Sequence, residues 1–521
     1  MRARTRALVA GLVAAVGGTV AVAHPALAAA EPAAAPAGGF PRQHLAWHAC
    51  EDALFPTPRP AGAERLDCAE FTAPRDWRHP GDGNHVTIAV SRLRPPGAAP
   101  RGVLFTNPGG PGLPGRAMPL ELLAQPRVSD AFEVIGVDVR GTGASDNVTC
   151  GPGGGGAVLD PRDRSRANID ALLARAERTA HACQQASGEL GRFVTTEQTV
   201  HDLDLLRALL GQDRISYYGM SGGTWLGAFY ATYFPRRVDT MVLDSTVDFT
   251  GTLQDSDALM PMGFERRFRE DFLPWVAEHD SVYHLGTSAE QVRQRYEALR
   301  AALAAAPVNG LSGAGLDNLV IGHLYKKVAF PALASRLVQT EGWVNGSAAT
   351  AAQPPSATAA AQPPSAAAGS TSRAPDAAEA AGITLFCNDT PFRGDRDRII
   401  AFSADQGARY PLRGWQTIDQ PCAFWDRPEV HLPTPTGAGV PPVLMVQSTH
   451  DPATPYEGAL RAHRAFAHSR LLTVTGEGDH GVYNAGNACV DTAVADYLVN
   501  HAVPGQDLTC AGLPIPEPVT G

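Results

Sequence analysis

The stretch Ser216–Tyr230, SYYGMSGGTWLGAFY, constrains this chain more than any other. Ile215–Tyr218 is apolar and aromatic and reads as a buried strand, whereas Thr224–Tyr233 reads as a helix. A strand that passes straight into a helix through Gly-Met-Ser-Gly-Gly turns so tightly that the neighbours of the serine must be small. The turn lifts Ser221 Oγ to the top of the sheet at a helix N-terminus, where free N–H groups and the helix dipole favour negative charge. Gly219-x-Ser221-x-Gly223 in that setting is a nucleophile elbow. In any other setting it would be an ordinary glycine-rich turn.

A serine is a weak nucleophile without a base, and in this arrangement the acid and the base follow it in the order Asp or Glu, then His. VLMVQSTHDPATP supplies Asp451 directly after an apolar strand, and LLTVTGEGDHGVY supplies His480 after the next one. Both fall at carboxyl ends of strands, where open parallel sheets place their sites. Asp244 and Asp248, after the strand that follows the elbow helix, are alternatives for the acid. His450 precedes the last strand and reads as a structural neighbour of Asp451. An oxyanion hole needs backbone N–H donors. Gly222 follows the nucleophile, and Gly109 and Gly110 lie in VLFTNPGGPGLPG after an early strand, so Gly110 and Gly222 are the expected donors. The same loop matches the dinucleotide fingerprint G-x-G-x-x-G, with Asp138 near the ribose-binding distance. Pro108, Pro111 and Pro114 lack the N–H groups that would cradle a pyrophosphate, which excludes that reading.

Strand-like runs at 86–93, 102–106, 132–139, 215–218, 240–243, 443–447 and 471–474 alternate with helical stretches, including 195–210 with a capping box from Thr195 and Gln198. The alternation predicts an α/β fold: a mostly parallel sheet flanked by helices. It stops between Asp248 and about Ser403. The expected organisation is therefore a leader at 1–28, a disordered tail at 29–45, core at 46–248, an inserted helical lid at 249–403, and core again at 404–521. Within the lid, residues 346–382 contain AAQPPSA twice and read as a flexible Ala/Pro-rich loop. GPGGGG at 151–156 reads as another mobile loop.

Arg2, Arg4 and Arg6, the apolar run 7–23 and the small-x-small site Ala26-Leu27-Ala28 form a secretory signal, too short for a membrane span. The net charge is −10, and loss of the arginine-bearing leader makes it more negative, which disfavours nucleic acid and anionic membranes as partners. Only Lys326 and Lys327 are lysines. Eight cysteines in an exported chain point to disulfides, and no C-x-x-C pair suggests zinc. Of 105 possible connectivities, the spacing suggests four sequential pairs: Cys50–Cys68, Cys150–Cys183, Cys387–Cys422 and Cys489–Cys510.

NPGGPG, DVRGTGASD, TTEQTVHDLDLLRALLG, YYGMSGGTWLG, HDPATP and GEGDHG occur in this order, and with them the chain resembles the secreted tripeptidyl aminopeptidases and their proline-iminopeptidase relatives. The resemblance runs from about Trp47 to Cys510. It implies a serine exopeptidase of the α/β-hydrolase fold with a TAP-like C-terminal region. It also implies Ser221, Asp451 and His480 as the triad, a lid over the site, and release of short peptides from free N-termini. No metal or cofactor is expected, and a monomer is expected. Two departures alter the pocket wall: Gly222 stands where the family usually has an aromatic residue, and GGPGLPG replaces GGPGGSG. An esterase or lipase on the same fold is the alternative, and a non-catalytic binding protein is the more distant one. An aminopeptidase must hold a substrate ammonium against a carboxylate. Asp389 in FCNDTPF, tethered by Cys387, is the first candidate, and Asp248 the second.

Overall fold

The computed structural model of the protein describes residues 39–97, 99–152, 159–346 and 374–518. The leader at 1–28, most of the tail, most of GPGGGG and most of the Ala/Pro-rich loop lie outside these residues. The described edges of two of these segments differ from expectation. Phe40–Arg42 forms a 3-10 turn, and Gln43 stitches the end of the tail to the sheet by donating to Thr72 O at 2.7 Å and accepting from Thr72 N at 2.8 Å. Ala377–Gly382 opens a helix (Ala377–Asp389) because its alanines are strong helix formers. Asp376 just before it accepts from Thr149 Oγ1 and Cys150 N at 2.7 Å each.

Ten strands form one sheet among the described residues: β1 (His48–Ala49), β2 (Leu66–Pro74), β3 (His85–Leu93), β4 (Val103–Asn107), β5 (Glu133–Asp138), β6 (Ile215–Met220), β7 (Val238–Asp244), β8 (Leu444–Ser448), β9 (Arg470–Thr475) and β10 (Leu508–Ala511). Their order is β1-β2-β3-β5-β4-β6-β7-β8-β9-β10. β1 to β3 are antiparallel and β3 meets β5 antiparallel; from β5 to β10 every pairing is parallel. The parallel strands β4 and β8 are buried along their whole length, as strands covered by helices on both faces must be. Period two then divides neighbours: Phe105 and Tyr217 pack with Trp225 and Phe229 on one face, while Leu104 and Tyr218 pack with Val490 and Tyr497 on the other.

The Thr196–Leu209 helix begins on Thr195, whose hydroxyl accepts from Gln198 N. Only half of the expected capping box forms, because Gln198 Oε1 accepts from Trp77 N at 2.7 Å instead. Behind this helix Arg140, fully buried, makes a two-pronged ion pair with Asp202 at 2.6 and 2.7 Å and donates to the carbonyls of Pro74, Arg75 and Phe193. Arg140→Met strands the Asp202 carboxylate in the core and is expected to cost about 3–5 kcal/mol, read as a drop in the denaturant midpoint at unchanged m-value.

The four disulfides join Cys50 to Cys68, Cys150 to Cys183, Cys387 to Cys422 and Cys489 to Cys510. Between β7 and β8 the chain leaves the sheet as a helical insertion with its own core around Phe264, Phe272, Leu316 and Phe330. The insertion continues past 403: the Arg396–Arg409 helix and 3-10 turns to Phe424 belong to it, and the sheet resumes only at Leu444.

Candidate active site

Ser221 ends β6 and stands at the N-cap of the Gly222–Tyr233 helix with φ 56° and ψ −126°. That backbone is strained for a residue with a Cβ. It is held by Ser221 N donating to Asp244 O at 2.9 Å and by Thr224 N donating to Ser221 O at 2.8 Å. The turn closes without room for side chains. A Cβ on Gly223 would lie 2.5 Å from Asn107 O, and one on Gly109 would lie 2.5 Å from Met220 O and 2.6 Å from Gly222 N.

The loop after β4 therefore rides backbone against backbone on the elbow. Gly110 and Gly222 face each other across it; a Cβ on Gly222 would come within 3.1 Å of Gly110 C and Pro111 N. An aromatic residue after the serine would have to push this loop aside, which accounts for glycine there. Asp138 clamps the loop. Its Oδ1 accepts from Gly115 N and Arg116 N, and its Oδ2 accepts from Arg116 Nε and Ala144 N, all at 2.8–3.0 Å. The acid that mimics a ribose ligand in the sequence is thus consumed in shaping the loop.

Asp451 follows β8 and is fully buried. Its Oδ1 accepts from Ala453 N and Thr454 N, both at 2.9 Å, and Thr454 Oγ1 donates to Oδ2 at 3.0 Å. His480 follows β9, and its Nδ1 lies 3.0 and 3.1 Å from the two carboxylate oxygens. Burial works to raise the Asp451 carboxyl, but the imidazole, these hydrogen bonds and the Ser245 hydroxyl outweigh it and hold it below the ordinary carboxylate value.

Asp244 and Ser245 join the elbow to the His480 loop. The Asp244 carboxylate accepts from Val482 N, Tyr483 N and Tyr218 OH, while Ser245 Oγ accepts from Gly481 N at 2.7 Å. Burial raises the Asp244 carboxyl despite these donors. A Cβ on Gly481 would lie 2.4 Å from Met220 Sδ, so the residues flanking Ser221 and His480 are in contact. Asp244, an alternative acid from sequence, is thus turned toward backbone amides and away from the imidazole. Asp248 is turned elsewhere as well: Arg461 Nη2 and Nε hold one oxygen at 2.7 and 2.8 Å, and Thr250 N and Oγ1 hold the other. His450 Nδ1 pairs with Asp271 of the insertion at 2.8 Å.

Asp389 is not presented to a substrate. It lies buried at the end of its helix, where Thr196 N and Oγ1 donate to its two oxygens at 2.7 and 2.6 Å. It therefore caps the Thr196–Leu209 helix from across the chain, and burial pushes its carboxyl up to about 6. The start of the same helix reaches the loop after β4: a Cβ on Gly112 would be 2.7 Å from Gly382 N.

The insertion covers His480. Tyr325 O accepts from His480 N at 2.9 Å, and the Tyr325 ring packs edge-on to the imidazole at 5.5 Å. A cavity of about 410 Å³ is lined by Asp257, Phe386, Arg413 and Gln416 among others, and by none of Ser221, Asp451 and His480. Asp257, which the sequence did not single out, has Arg413 as its ion-pair partner, 3.6 Å away.

The family model described as "TAP-like protein" matches residues 410–510, which include Asp451 and His480. A tripeptidyl aminopeptidase of Streptomyces coelicolor is 32% identical over 497 residues, covering 92% of this chain and 88% of that one. Serine protease Hip1 of Mycobacterium tuberculosis is 28% identical, covering 90% and 91%. A carboxylesterase B of the same species is 31% identical, covering 89% and 90%. Coverage at that identity, together with the mostly parallel sheet, shows that the chain belongs to the tripeptidyl-aminopeptidase family of serine hydrolases with the α/β-hydrolase fold.

Proposed function

We propose that this protein is an exported serine exopeptidase that cleaves short peptides from free N-termini, with Ser221, His480 and Asp451 as its triad. The buried Asp451–His480 pair, tethered through Asp244 and Ser245 to a serine on a strained helix-initiating turn, carries the reading. His480 Nε2 takes the Ser221 proton as Oγ attacks the scissile carbonyl. Asp451 holds the tautomer with hydrogen on Nδ1 and stabilises the imidazolium. The N–H groups of Gly110 and Gly222 receive the oxyanion; as the first residue of its helix, Gly222 has no intrahelical acceptor for its N–H. Collapse expels the amine, which takes the proton from His480, and water then hydrolyses the acyl-enzyme by the same route. Export is supported by the arginine-led apolar leader and by four disulfides.

With Asp389 and Asp248 engaged elsewhere, Asp257, which lines the cavity together with Arg413, is the carboxylate proposed to meet a substrate ammonium. A relative bearing an esterase name favours a second reading, ester hydrolysis at the same triad. One comparison separates them. A tripeptide amide with a free N-terminus is expected to be cleaved with a kcat/KM orders of magnitude above that of its N-acetyl form, mass spectrometry identifying the fragments. Equal cleavage of both forms overturns recognition of the amino terminus, and cleavage of esters alone favours the esterase.

A further inference from the structure

Two lysines in 521 residues, adjacent in sequence, both end on the loop that carries His480. Lys326 Nζ donates to Gly481 O at 2.6 Å. Lys327 N donates to Asp479 Oδ1 at 2.7 Å, and its ammonium pairs with buried Glu477 and donates to Leu513 O at 2.9 Å. Together with the bond from His480 N to Tyr325 O, the segment 325–327 of the insertion runs along residues 477–481 and binds them at every step. Arg267 adds a second hold from the insertion, donating to Asp479 at 2.7 Å.

The two ammonium groups differ in what they can do. Lys327 faces Glu477 and the C-terminal segment, away from the imidazole. Lys326 is half-buried and grips the peptide immediately after His480, beside Met220, which precedes Ser221; its Nζ stands 3.5 Å from where a Cβ on Gly481 would be. Acids crowd this loop. Asp451 meets the imidazole, Asp244 meets the amides of 482 and 483, Asp479 precedes His480, and Glu121 comes in from the helix after the oxyanion loop, its backbone carbonyl bonded by Asn484 Nδ2 at 2.9 Å. Lys326 acts electrostatically on Asp244, Asp479 and Glu121, favouring the charged form of each.

We propose that Lys326 is a positioning residue for the base, fixing the peptide that follows His480 through Gly481 O. The inference rests on His480 being the base. A displaced base of this kind costs rate steeply, since about 1 Å of misplacement can cost on the order of a hundredfold.

The test uses the full mature chain with Lys326→Met, Lys326→Arg and Lys327→Met. Lys326→Met is expected to lower kcat about 10- to 100-fold at nearly unchanged KM and to slow fluorophosphonate labelling of the serine in parallel. Lys326→Arg restores most of the rate, because a guanidinium keeps both the charge and a donor. Lys327→Met lowers the melting midpoint, since Glu477 is left buried and unpaired, with little change in kcat. Unchanged kcat in folded Lys326→Met overturns the proposal, as does a folded Lys326→Arg variant no better than Met. If Lys326→Met does not fold, the Arg variant decides: a rate near wild type supports the positioning role, and a collapsed rate in a folded Arg variant refutes it. Failure of the triad itself would show separately, as full activity in His480→Ala.

Discussion

Turnover is expected to fall about a million-fold in Ser221→Ala, with the melting midpoint unchanged. The backbone at Ser221 is held at φ 56° by hydrogen bonds that involve only main-chain atoms of this residue. Alanine keeps the same Cβ in the same conformation, so strain neither grows nor is relieved. Among the described residues Ser221 Oγ has no hydrogen-bond partner whose loss would unsettle the turn. Binding of peptide survives while its cleavage does not, and a fluorophosphonate probe no longer labels the protein. A variant that keeps more than a few per cent of the rate would mean that another group attacks the substrate.

Asp451→Asn is expected to cost about 10⁴-fold in kcat, far more than Asp244→Asn. Ala453 N and Thr454 N donate to Asp451 Oδ1, so an asparagine there would turn its carbonyl to them and its NH₂ to His480 Nδ1. That donor forces the imidazole proton onto Nε2, the nitrogen that must accept from Ser221. Asparagine at 244 can still accept from Tyr483 N or Val482 N, so the His480 loop loosens without losing its tautomer. The comparison is kcat for both variants, with circular dichroism and melting curves confirming that each is folded. A folded Asp244→Asn that is the more damaging by orders of magnitude would move the acid to the end of β7.

The loops holding Ser221, Asp451 and His480 are legible in the sequence because each follows a continuous apolar run, the mark of a strand covered on both faces, and because their small and polar residues cannot extend that run. Glycines at 219 and 223 add a packing signal that survives in one dimension. What the sequence hides is pairing over distance. Nothing in CNDTP says that Asp389 will cap Thr196, 193 residues earlier in the chain, and nothing around Thr195 says that Trp77 will take the side chain of Gln198. β2 escapes notice because its burial alternates through Asp67 and Glu70, and β10 because four residues at a sheet edge carry little apolar signal. The end of the insertion is equally hidden, since the helix at 396–409 is amphipathic in the way a core helix also is. Asp257 gives no signal of its own; only the cavity around it distinguishes it from any other partly buried acid.

The backbone-to-backbone seating of the oxyanion loop also bears on how this scaffold can evolve. Gly109 and Gly223 leave no space for even a methyl group against the elbow, and Gly112 leaves none against the insertion. Random libraries spanning these positions would be filled with misfolded clones, and new specificities cannot come from them. Variation is expected to be tolerated where side chains, not main chain, form a wall, as Phe386 and Arg413 do in the cavity. In this protein the turn around Ser221 is frozen by sterics, so change is expected to be confined to residues whose side chains, not main chain, pack against their neighbours.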